Sequence, residues 1–586
     1  MLLDRDLQSV QEVRDLVGRA FEAQKLFEKQ EQSRVDAIVK AIADAALKES
    51  HRLASLAVEE TGYGVVEDKR LKNSFVCERV AAYIAPLRTI GIISEDPVRK
   101  ITEIAVPMGV VAAIIPSTNP TSTAIFKCLI SLKGGNGIVL SPHPAAARCI
   151  VETARICGEA AVAAGAPEGL IGCMTMPTLE ATEELMKHRK VAVILATGGA
   201  GLVKAAYSSG KPAYGVGPGN VPAYIDRSAN IAKAVKDILT GKTFDNGTVC
   251  ASEQSLIVDA PVESQVVAEL KQNKGFFLTE EEARKLAAFA IQQNGMLNPQ
   301  IVGKSALWIA QKAGIEVYPN THALVVPLKG VGSDFPLSCE KLSPILSYYV
   351  VDGWRAGCEL CKQVLAFGGM GHTLALHCQD PNIIRQFGLE KPAFRIIVNS
   401  PATHGAIGLS TALPPSLTLG CGTYGNNITT DNITPLHLIQ VKRLALETVE
   451  AFPSWMQTGQ SGTQPTSLPD EQLRATVAAL VEAYLIVKGV EPESESRSQA
   501  NPALPEIKVR AIKEKQAAPE NVAPGSPEPP VGAGTHVPAA QPADFVCEQD
   551  VRSAIQGRRK IYISSKAIVT PAARDLASAH DVLVIV

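Results

Sequence analysis

The chain has 586 residues, 46% of them hydrophobic, and balances 57 basic against 59 acidic side chains for a net charge of −2. That composition is ample for real cores, and a near-neutral balance offers no electrostatic case for nucleic acid or an anionic membrane as partner. Acidic residues stand where a secretory signal needs a positive region, and the longest apolar stretch, 105–116, falls short of the about 20 residues that span a bilayer. A soluble, cytoplasmic protein is the expectation.

Residues 8–58 alternate charged and apolar positions at helical spacing, which predicts two or three amphipathic helices. From Gly109 the pattern changes. The β-branched run 109–115 predicts a strand, followed by a Pro/Ser/Thr/Asn loop at 116–120 and a helix over 121–133. Strands at 137–140, 170–174 and 191–196 then alternate with helices at 145–164 and 179–187. Apolar strands alternating with helices indicate βαβ units, hence a parallel, doubly wound, dinucleotide-type domain in 1–225. A second alternating set, with strands at 255–258, 324–326, 346–351, 374–376 and 395–398, predicts a second α/β domain over 226–400. Residues 401–454 are read as a return to the first domain with an oligomerisation arm, part of it at 420–438.

Beyond Phe452 the character shifts again. Leu473, Val477, Leu480, Val481 and Tyr484 line one face of an amphipathic helix within 468–489. The stretch 490–545 is Pro-, Ser- and Glu-rich and reads as a disordered, partly stiff linker. A small β–α–β module is expected over 546–586.

Two glycine patterns fail as nucleotide motifs. Gly241-Lys242-Thr243 lacks the upstream glycine of a P-loop, and Gly215-Val-Gly217-Pro-Gly219-Asn220 has Asn where a dinucleotide fingerprint needs its third Gly; both read as tight turns. Thr197, Gly198 and Gly199 fit better, at a strand-to-helix turn where backbone can approach a phosphate. The twelve cysteines show neither a disulfide framework nor zinc-ligand spacing, and no metal site is expected. Cys358 and Cys361 fall on the buried face of a helix. Cys250 is different: it follows a Gly/Asn-rich turn and precedes a strand-like run, the setting a catalytic thiol needs.

Eight segments carry a resemblance. They are Glu59-Glu-Thr-Gly-Tyr-Gly, Glu67-Asp-Lys-Arg-Leu-Lys-Asn, Pro116-Ser-Thr-Asn-Pro-Thr-Ser-Thr-Ala-Ile-Phe-Lys, Ser141-Pro-His-Pro, Ala196-Thr-Gly-Gly, Phe244-Asp-Asn-Gly-Thr-Val-Cys, Cys339-Glu-Lys-Leu-Ser-Pro and Phe367-Gly-Gly-Met-Gly-His-Thr. With them the chain from about residue 10 to 450 resembles the CoA-acylating branch of the aldehyde dehydrogenase superfamily. The resemblance implies that fold, and it implies Cys250 as nucleophile with Asn119 and the Cys250 N–H as oxyanion donors. It also implies Glu340 on the nicotinamide ribose, and further cofactor contacts from Pro116, Ser117, Thr118, His143, Thr197, Gly198 and Gly199. His372 is a candidate base or positioner for an incoming thiol.

Two departures matter. Hydrolytic relatives carry a water-activating Glu in a Glu-Leu-Gly-Gly segment upstream of the cysteine; here that place reads Tyr214-Gly-Val-Gly-Pro-Gly-Asn220, with no carboxylate. The thioester on Cys250 is then expected to await a thiol, coenzyme A, and to give an acyl-CoA. Where those relatives hold the adenine ribose with a lysine, this sequence has His143, which leaves NAD, the first expectation, open against NADP. Acetaldehyde is the first expected substrate and propionaldehyde the next. The family's habit of pairing subunits implies a homodimer or homotetramer. The 468–489 helix and the terminal module resemble segments that load enzymes into bacterial microcompartments, so shell or cargo proteins are expected partners there. A hydrolytic dehydrogenase with a displaced base and a non-catalytic compartment scaffold are the alternatives.

Overall fold

The computed structural model describes residues 4–449 together with 474–475, 477–479, 543–546, 548–557, 559–569, 573, 577 and 582–585. Helices come first: Arg5–Phe27, Gln32–Lys48, Ser50–Thr61 and Val66–Phe75, the last continuing through a wide turn at Val76–Val80 into Ala81–Ile84. Asp4 caps the first of them by accepting from the Asp6 and Leu7 amides, groups left without intrahelical partners at any helix start.

The strands follow in chain order: β1 (Gly91–Asp96), β2 (Ile101–Pro107), β3 (Val110–Ile115), β4 (Gly137–Pro142), β5 (Ile171–Cys173), β6 (Val191–Thr197), β7 (Ala213–Val216), β8 (Val221–Ile225), β9 (Glu253–Asp259), β10 (Gly275–Phe277), β11 (Ala323–Pro327), β12 (Ile345–Val351), β13 (Gly371–His377), β14 (Ala393–Val398) and β15 (Ile439–Ala445). Three sheets result within residues 1–460, which form one compact unit. β3–β7 build a parallel sheet of order β5-β4-β3-β6-β7. β8–β14 build a second parallel sheet of order β10-β11-β12-β9-β8-β13-β14. β1, β2 and β15 form an antiparallel three-stranded sheet.

Every side chain of β3, β4 and the helix Pro120–Lys133 is buried, as expected where helices cover both faces of a parallel sheet. In the first sheet the connections after β3 lead outward through β4 to β5, then return to β6 on the other side of β3. The crevice between the carboxyl ends of β3 and β6 is therefore a topological switch point, the place such sheets bind ligands.

The expected boundaries need adjustment. β8 belongs to the second sheet, paired with β9 and β13, so that domain starts at Val221 and not at 226; the extended run Gly217–Gly219 before it is the crossover. The arm expected at 420–438 holds only short turns, Thr423–Gly425 and Pro435–Leu438, and the strand comes just after it as β15. Ile407, Leu419, Ile433 and Leu438 pack into the hydrophobic core that also holds residues of β3, β4 and β6. Gly241–Thr243 is no tight turn but the end of the helix Ile231–Thr243. Cys358 and Cys361 lie buried on the helix Trp354–Gly368.

Residues 461–586 form a second unit. Within it β16 (Ala543–Val546), β17 (Ile561–Val569) and β18 (Leu583–Ile585) form a parallel sheet of order β16-β17-β18, with the helix Glu548–Gln556 after β16. The module thus begins at Ala543, a strand earlier than expected. Of 468–489 only 474–475 and 477–479 are described, as helix; the rest of that span and the expected linker up to Ala543 lie outside the described residues.

Candidate active site

In the second sheet the candidate residues collect at the amino ends of four adjacent strands. Glu340 precedes β12, Cys250 precedes β9, Gly219 and Asn220 precede β8, and His372 is the second residue of β13. A Cβ placed on Gly219 would lie 2.3 Å from the Cys250 carbonyl oxygen and 3.0 Å from the His372 ring. This glycine is therefore required by close approach, and it marks the point where the nucleophile's backbone and the imidazole come together. Glu340 reaches the same strand entry, its Oε1 accepting from the Gly219 N–H at 2.9 Å.

The turn that carries Cys250 is held from a distance. Asp245 and Asn246 both adopt left-handed backbone (φ 50° and 53°) ahead of Gly247 at 74°, a conformation that costs a non-glycine residue of order 1 kcal/mol or more and persists only where surroundings impose it. Here they do. The Asp245 N–H donates to Asp68 Oδ2 at 2.7 Å, and Asp245 Oδ1 accepts from the Val65 N–H at 2.7 Å. Asp245 Oδ2 accepts from Lys69 Nζ at 2.9 Å, from Thr248 Oγ1 at 2.6 Å, and from Lys72 Nζ. Gly64, at φ 80°, lets the chain pass directly over that carboxylate; a Cβ there would sit 1.9 Å from Asp245 Oδ1. The two segments Glu59–Gly64 and Glu67–Asn73 thus serve in large part to seat the cysteine turn.

Burial works to protonate the Asp245 carboxyl, but the two lysines override it and hold it below the usual carboxylate range. Burial depresses Lys72 to about 8 against the opposing pull of Asp245. Cys250 is raised to about 12, mainly by burial, with Glu340 and Cys421 adding and the Arg395 guanidinium opposing. Burial raises Glu340 to about 7 and lowers His372 to about 3, where Arg395 adds to the effect. The resting site therefore holds a protonated thiol beside a neutral imidazole. His372 Nδ1 pairs with Thr373 Oγ1 at 2.9 Å, and its Nε2 has no hydrogen-bond partner among the described residues.

Asn119 follows β3 and starts the helix Pro120–Lys133. Its Nδ2 donates to the Thr248 carbonyl at 3.3 Å and to Thr118 Oγ1 at 3.1 Å, and its Oδ1 accepts from Lys72 Nζ at 2.5 Å. The amide N–H₂ thus faces the turn two residues before Cys250. Pro116, Ser117, Thr118 and Asn119 leave the carboxyl end of β3, His143 leaves that of β4, and Thr197, Gly198 and Gly199 leave that of β6, so the residues expected to touch a dinucleotide ring the switch point. A cleft of about 620 Å³ is lined by Lys204 and Tyr207 of the helix Ala200–Tyr207 together with Pro218, Gly369, Met370 and Tyr424. Glycines ahead of the helix Ala200–Tyr207 and a carboxylate at Glu340 fit a dinucleotide's phosphate and ribose chemistry.

The sequence reads a strand only from residue 374, two residues after His372. The structure places it instead in a buried strand, because Gly371 (φ 77°) makes the bend and the chain pairs at once with β14. Arg395, Lys69, Lys72 and Asp245 are site residues that the sequence reading does not single out. Arg395 is buried on β14, donating to the Gly420 and Thr430 carbonyls at 2.6 and 3.1 Å. No carboxylate occupies 214–220. Glu253, the nearest acidic residue in sequence after Cys250, accepts from the Ala402 N–H at 2.6 Å through Oε1, while its Oε2, packed against Gly241, has no hydrogen-bond partner among the described residues.

A doubly wound parallel domain that carries the Asn119 amide, beside a second α/β domain that carries the Cys250 thiol and the His372 imidazole, is the arrangement of the aldehyde dehydrogenase fold. The chain belongs to the aldehyde dehydrogenase family. The model described as "Aldehyde dehydrogenase family" matches residues 4–275. An acetylating aldehyde dehydrogenase from Geobacillus thermoglucosidasius, solved by crystallography, is 55% identical, with a TM-score of 0.76 over 77% of this chain and 100% of that one. A propionaldehyde dehydrogenase from Rhodopseudomonas palustris, solved with bound CoA and an acylated cysteine, is 28% identical, with a TM-score of 0.68 over 74% of this chain and 97% of that one. Aldehyde-alcohol dehydrogenase 2 of Entamoeba histolytica is 45% identical over 444 residues, 74% of this chain and 51% of the relative. The chain spans about half the length of the aldehyde-alcohol dehydrogenases it matches.

Proposed function

We infer that the chain is a CoA-acylating aldehyde dehydrogenase working through a thioester on Cys250. The Cys250 thiol gives up its proton to solvent as its sulfur adds to the aldehyde carbonyl, and the oxyanion that forms takes hydrogen bonds from Asn119 Nδ2 and the Cys250 N–H. Glu340 would grip the ribose of a bound nicotinamide dinucleotide, with Thr197, Gly198, Gly199, Pro116, Ser117, Thr118 and His143 around it, and that group would supply the hydride acceptor. Collapse of the thiohemiacetal with loss of hydride leaves the acyl group on Cys250. The thiol of coenzyme A then attacks that carbonyl, His372 Nε2 takes its proton, and the Cys250 sulfur leaves. One thioester replaces another, so the reaction runs in either direction.

The observation that carries this reading is the strand entry at 214–220. The segment supplies no carboxylate of its own to activate water, the one that reaches it being Glu340, bonded to the Gly219 N–H, and Gly219 packs against both the Cys250 carbonyl and the His372 ring. The decisive experiment measures NADH formation from acetaldehyde and NAD with and without CoA, then repeats it with propionaldehyde and with NADP. We expect no sustained turnover without CoA; acetate produced without CoA would refute the reading and return the hydrolytic alternative. Acetaldehyde and NAD remain our first choices.

Among the described residues no helix is long and apolar enough to cross a membrane. We further propose a homo-oligomer formed through the β1-β2-β15 sheet, whose outer strands are largely exposed. We also propose that residues 468–489 and the β16–β18 module address the enzyme to a bacterial microcompartment. Fusing 468–586 to a fluorescent protein tests the latter: it should co-purify with assembled shells, and a fluorophore left entirely in the soluble fraction would exclude it.

A further inference from the structure

Asn119 can serve an oxyanion only with one of its two faces. A carboxamide offers two N–H donors on one side and an acceptor oxygen on the other, and the torsion that exchanges them is soft and roughly twofold. If the oxygen turned toward Cys250, the site would present a negative partial charge to a developing negative charge. The helix Pro120–Lys133 fixes the backbone of Asn119 but says nothing about this torsion. The groups Asn119 Nδ2 meets, the Thr248 carbonyl at 3.3 Å and Thr118 Oγ1 at 3.1 Å, lie at ordinary to long distance, and the reacting oxygen has to compete with them.

Lys72 is built into the other side. Its side chain is buried, and it meets Asn119 Oδ1 at 2.5 Å while also donating to Asp245 Oδ2. An ammonium group has three donors and no acceptor, so the opposite amide orientation would set N–H₂ against N–H₃⁺ and strand a buried donor. Lys69, one turn earlier, shares Asp245 but reaches the Thr118 carbonyl at 2.9 Å in place of the amide. The two lysines thus seat the same carboxylate, and only one of them touches the oxyanion donor.

We propose that Lys72 is a positioning residue for aldehyde oxidation: by occupying Asn119 Oδ1 it locks the carboxamide with its N–H₂ toward the Cys250 carbonyl adduct, and its charge polarises that amide into a stronger donor. Charge-assisted hydrogen bonds are roughly twice as strong as neutral ones, and bonds in a chain reinforce one another. The groups facing Lys72 are Asp245 from the cysteine turn and Lys69 and Asp68 from its own helix. Asp245 favours its charged form and burial opposes it, so the contribution is present at neutral pH and weakens as pH rises past about 8. The inference rests on Asn119 acting as the oxyanion donor.

The test is a double-mutant cycle on the full chain with Lys72→Met and Asn119→Ala, and with Lys69→Met as a control for the shared ion pair. Steady-state rates with aldehyde, NAD and CoA are read beside the rate at which iodoacetamide alkylates Cys250. We expect Lys72→Met to lower kcat about tenfold to a hundredfold, to leave KM for NAD and the alkylation rate within about twofold, and to add nothing once Asn119 is already Ala. Lys69→Met should lower kcat less than Lys72→Met. A loss of Cys250 alkylation in step with kcat, or full additivity with Asn119→Ala, would reduce Lys72 to a prop for the cysteine turn. Wild-type activity in Asn119→Ala alone would instead remove the oxyanion reading on which the inference stands. If Lys72→Met does not fold, Lys72→Gln replaces it: its amide still bonds Asn119 but carries no charge and accepts either orientation, so the same cycle decides.

Discussion

Replacing Cys250 by alanine should abolish aldehyde-dependent NADH formation, a loss of about 10⁴-fold or more, because nucleophile removal leaves only binding and oxyanion stabilisation behind. The other thiols nearest the site are Cys339, next to Glu340 and partly exposed, and Cys421. Cys421, which lines the neighbouring cleft, is buried where Cys250 is partly exposed, and its Sγ is turned to the Leu419 carbonyl at 3.5 Å. Burial also raises that thiol to about 11, although Arg395 pulls the other way. Cys358, Cys361 and Cys378 are buried in the second domain's core. The alanine variant should still bind the dinucleotide, since Glu340, Thr197, Gly198 and Gly199 are untouched. The measurement is NADH absorbance in the oxidative direction and acyl-CoA-dependent NADH loss in the reverse. Residual turnover above about one part in a thousand would mean that the acyl group travels on another atom.

The second large effect falls on stability. Asp245→Asn keeps the shape of the side chain but removes the buried negative charge that faces both Lys69 and Lys72. Breaking a buried ion pair by removing one partner costs about 3–5 kcal/mol, because the survivor stays desolvated and uncompensated. The melting temperature at pH 7 should fall accordingly, and activity at Cys250 should fall with it, since the left-handed turn at Asp245 and Asn246 loses its anchor. The sign of the pH dependence follows from the lysines. Lys72 is depressed to about 8 from an ordinary 10.5 even with Asp245 present. Without the carboxylate its value falls further, so the folded variant sheds a proton that the unfolded chain keeps, and stability rises with pH across that window. The deficit relative to the parent should therefore be larger at pH 7 than at pH 9. An unchanged melting temperature would show that the triad holds nothing.

Much of this is legible in the sequence, and the gaps have physical causes. The parallel strands β3, β4 and β6 announce themselves as unbroken apolar runs, because a strand covered on both faces has no polar side. β1, β2 and β15 escape notice for the opposite reason: their side chains are mostly exposed or half-buried, and such a pattern looks like loop. Cys250, Asn119 and Glu340 stand out through their motifs. The structure brings Glu340 and His372 to Gly219 beside Cys250, with Asn119 at the turn just before it. Lys69 and Lys72 lie within a motif that suggests no role for them. Charged residues three apart on a helix look like a solvated face until the partner is known, and Asp245 lies 173 residues beyond Lys72. Arg395 gives no signal beyond its place in a strand, because the carbonyls it meets at Gly420 and Thr430 belong to a later loop.

That separation has a consequence for how the protein comes into being. The cysteine turn is strained on its own and is held by a helix made long before it, so it cannot take its working shape until both domains have met. Contacts of such long sequence separation form late, after the entropy of closing the intervening loop has been overcome. A growing chain thus carries Cys250 with no oxyanion donor beside it. On the function proposed above, aldehyde oxidation would therefore become possible only with the last long-range contacts, which bring Asn119 to the Cys250 turn.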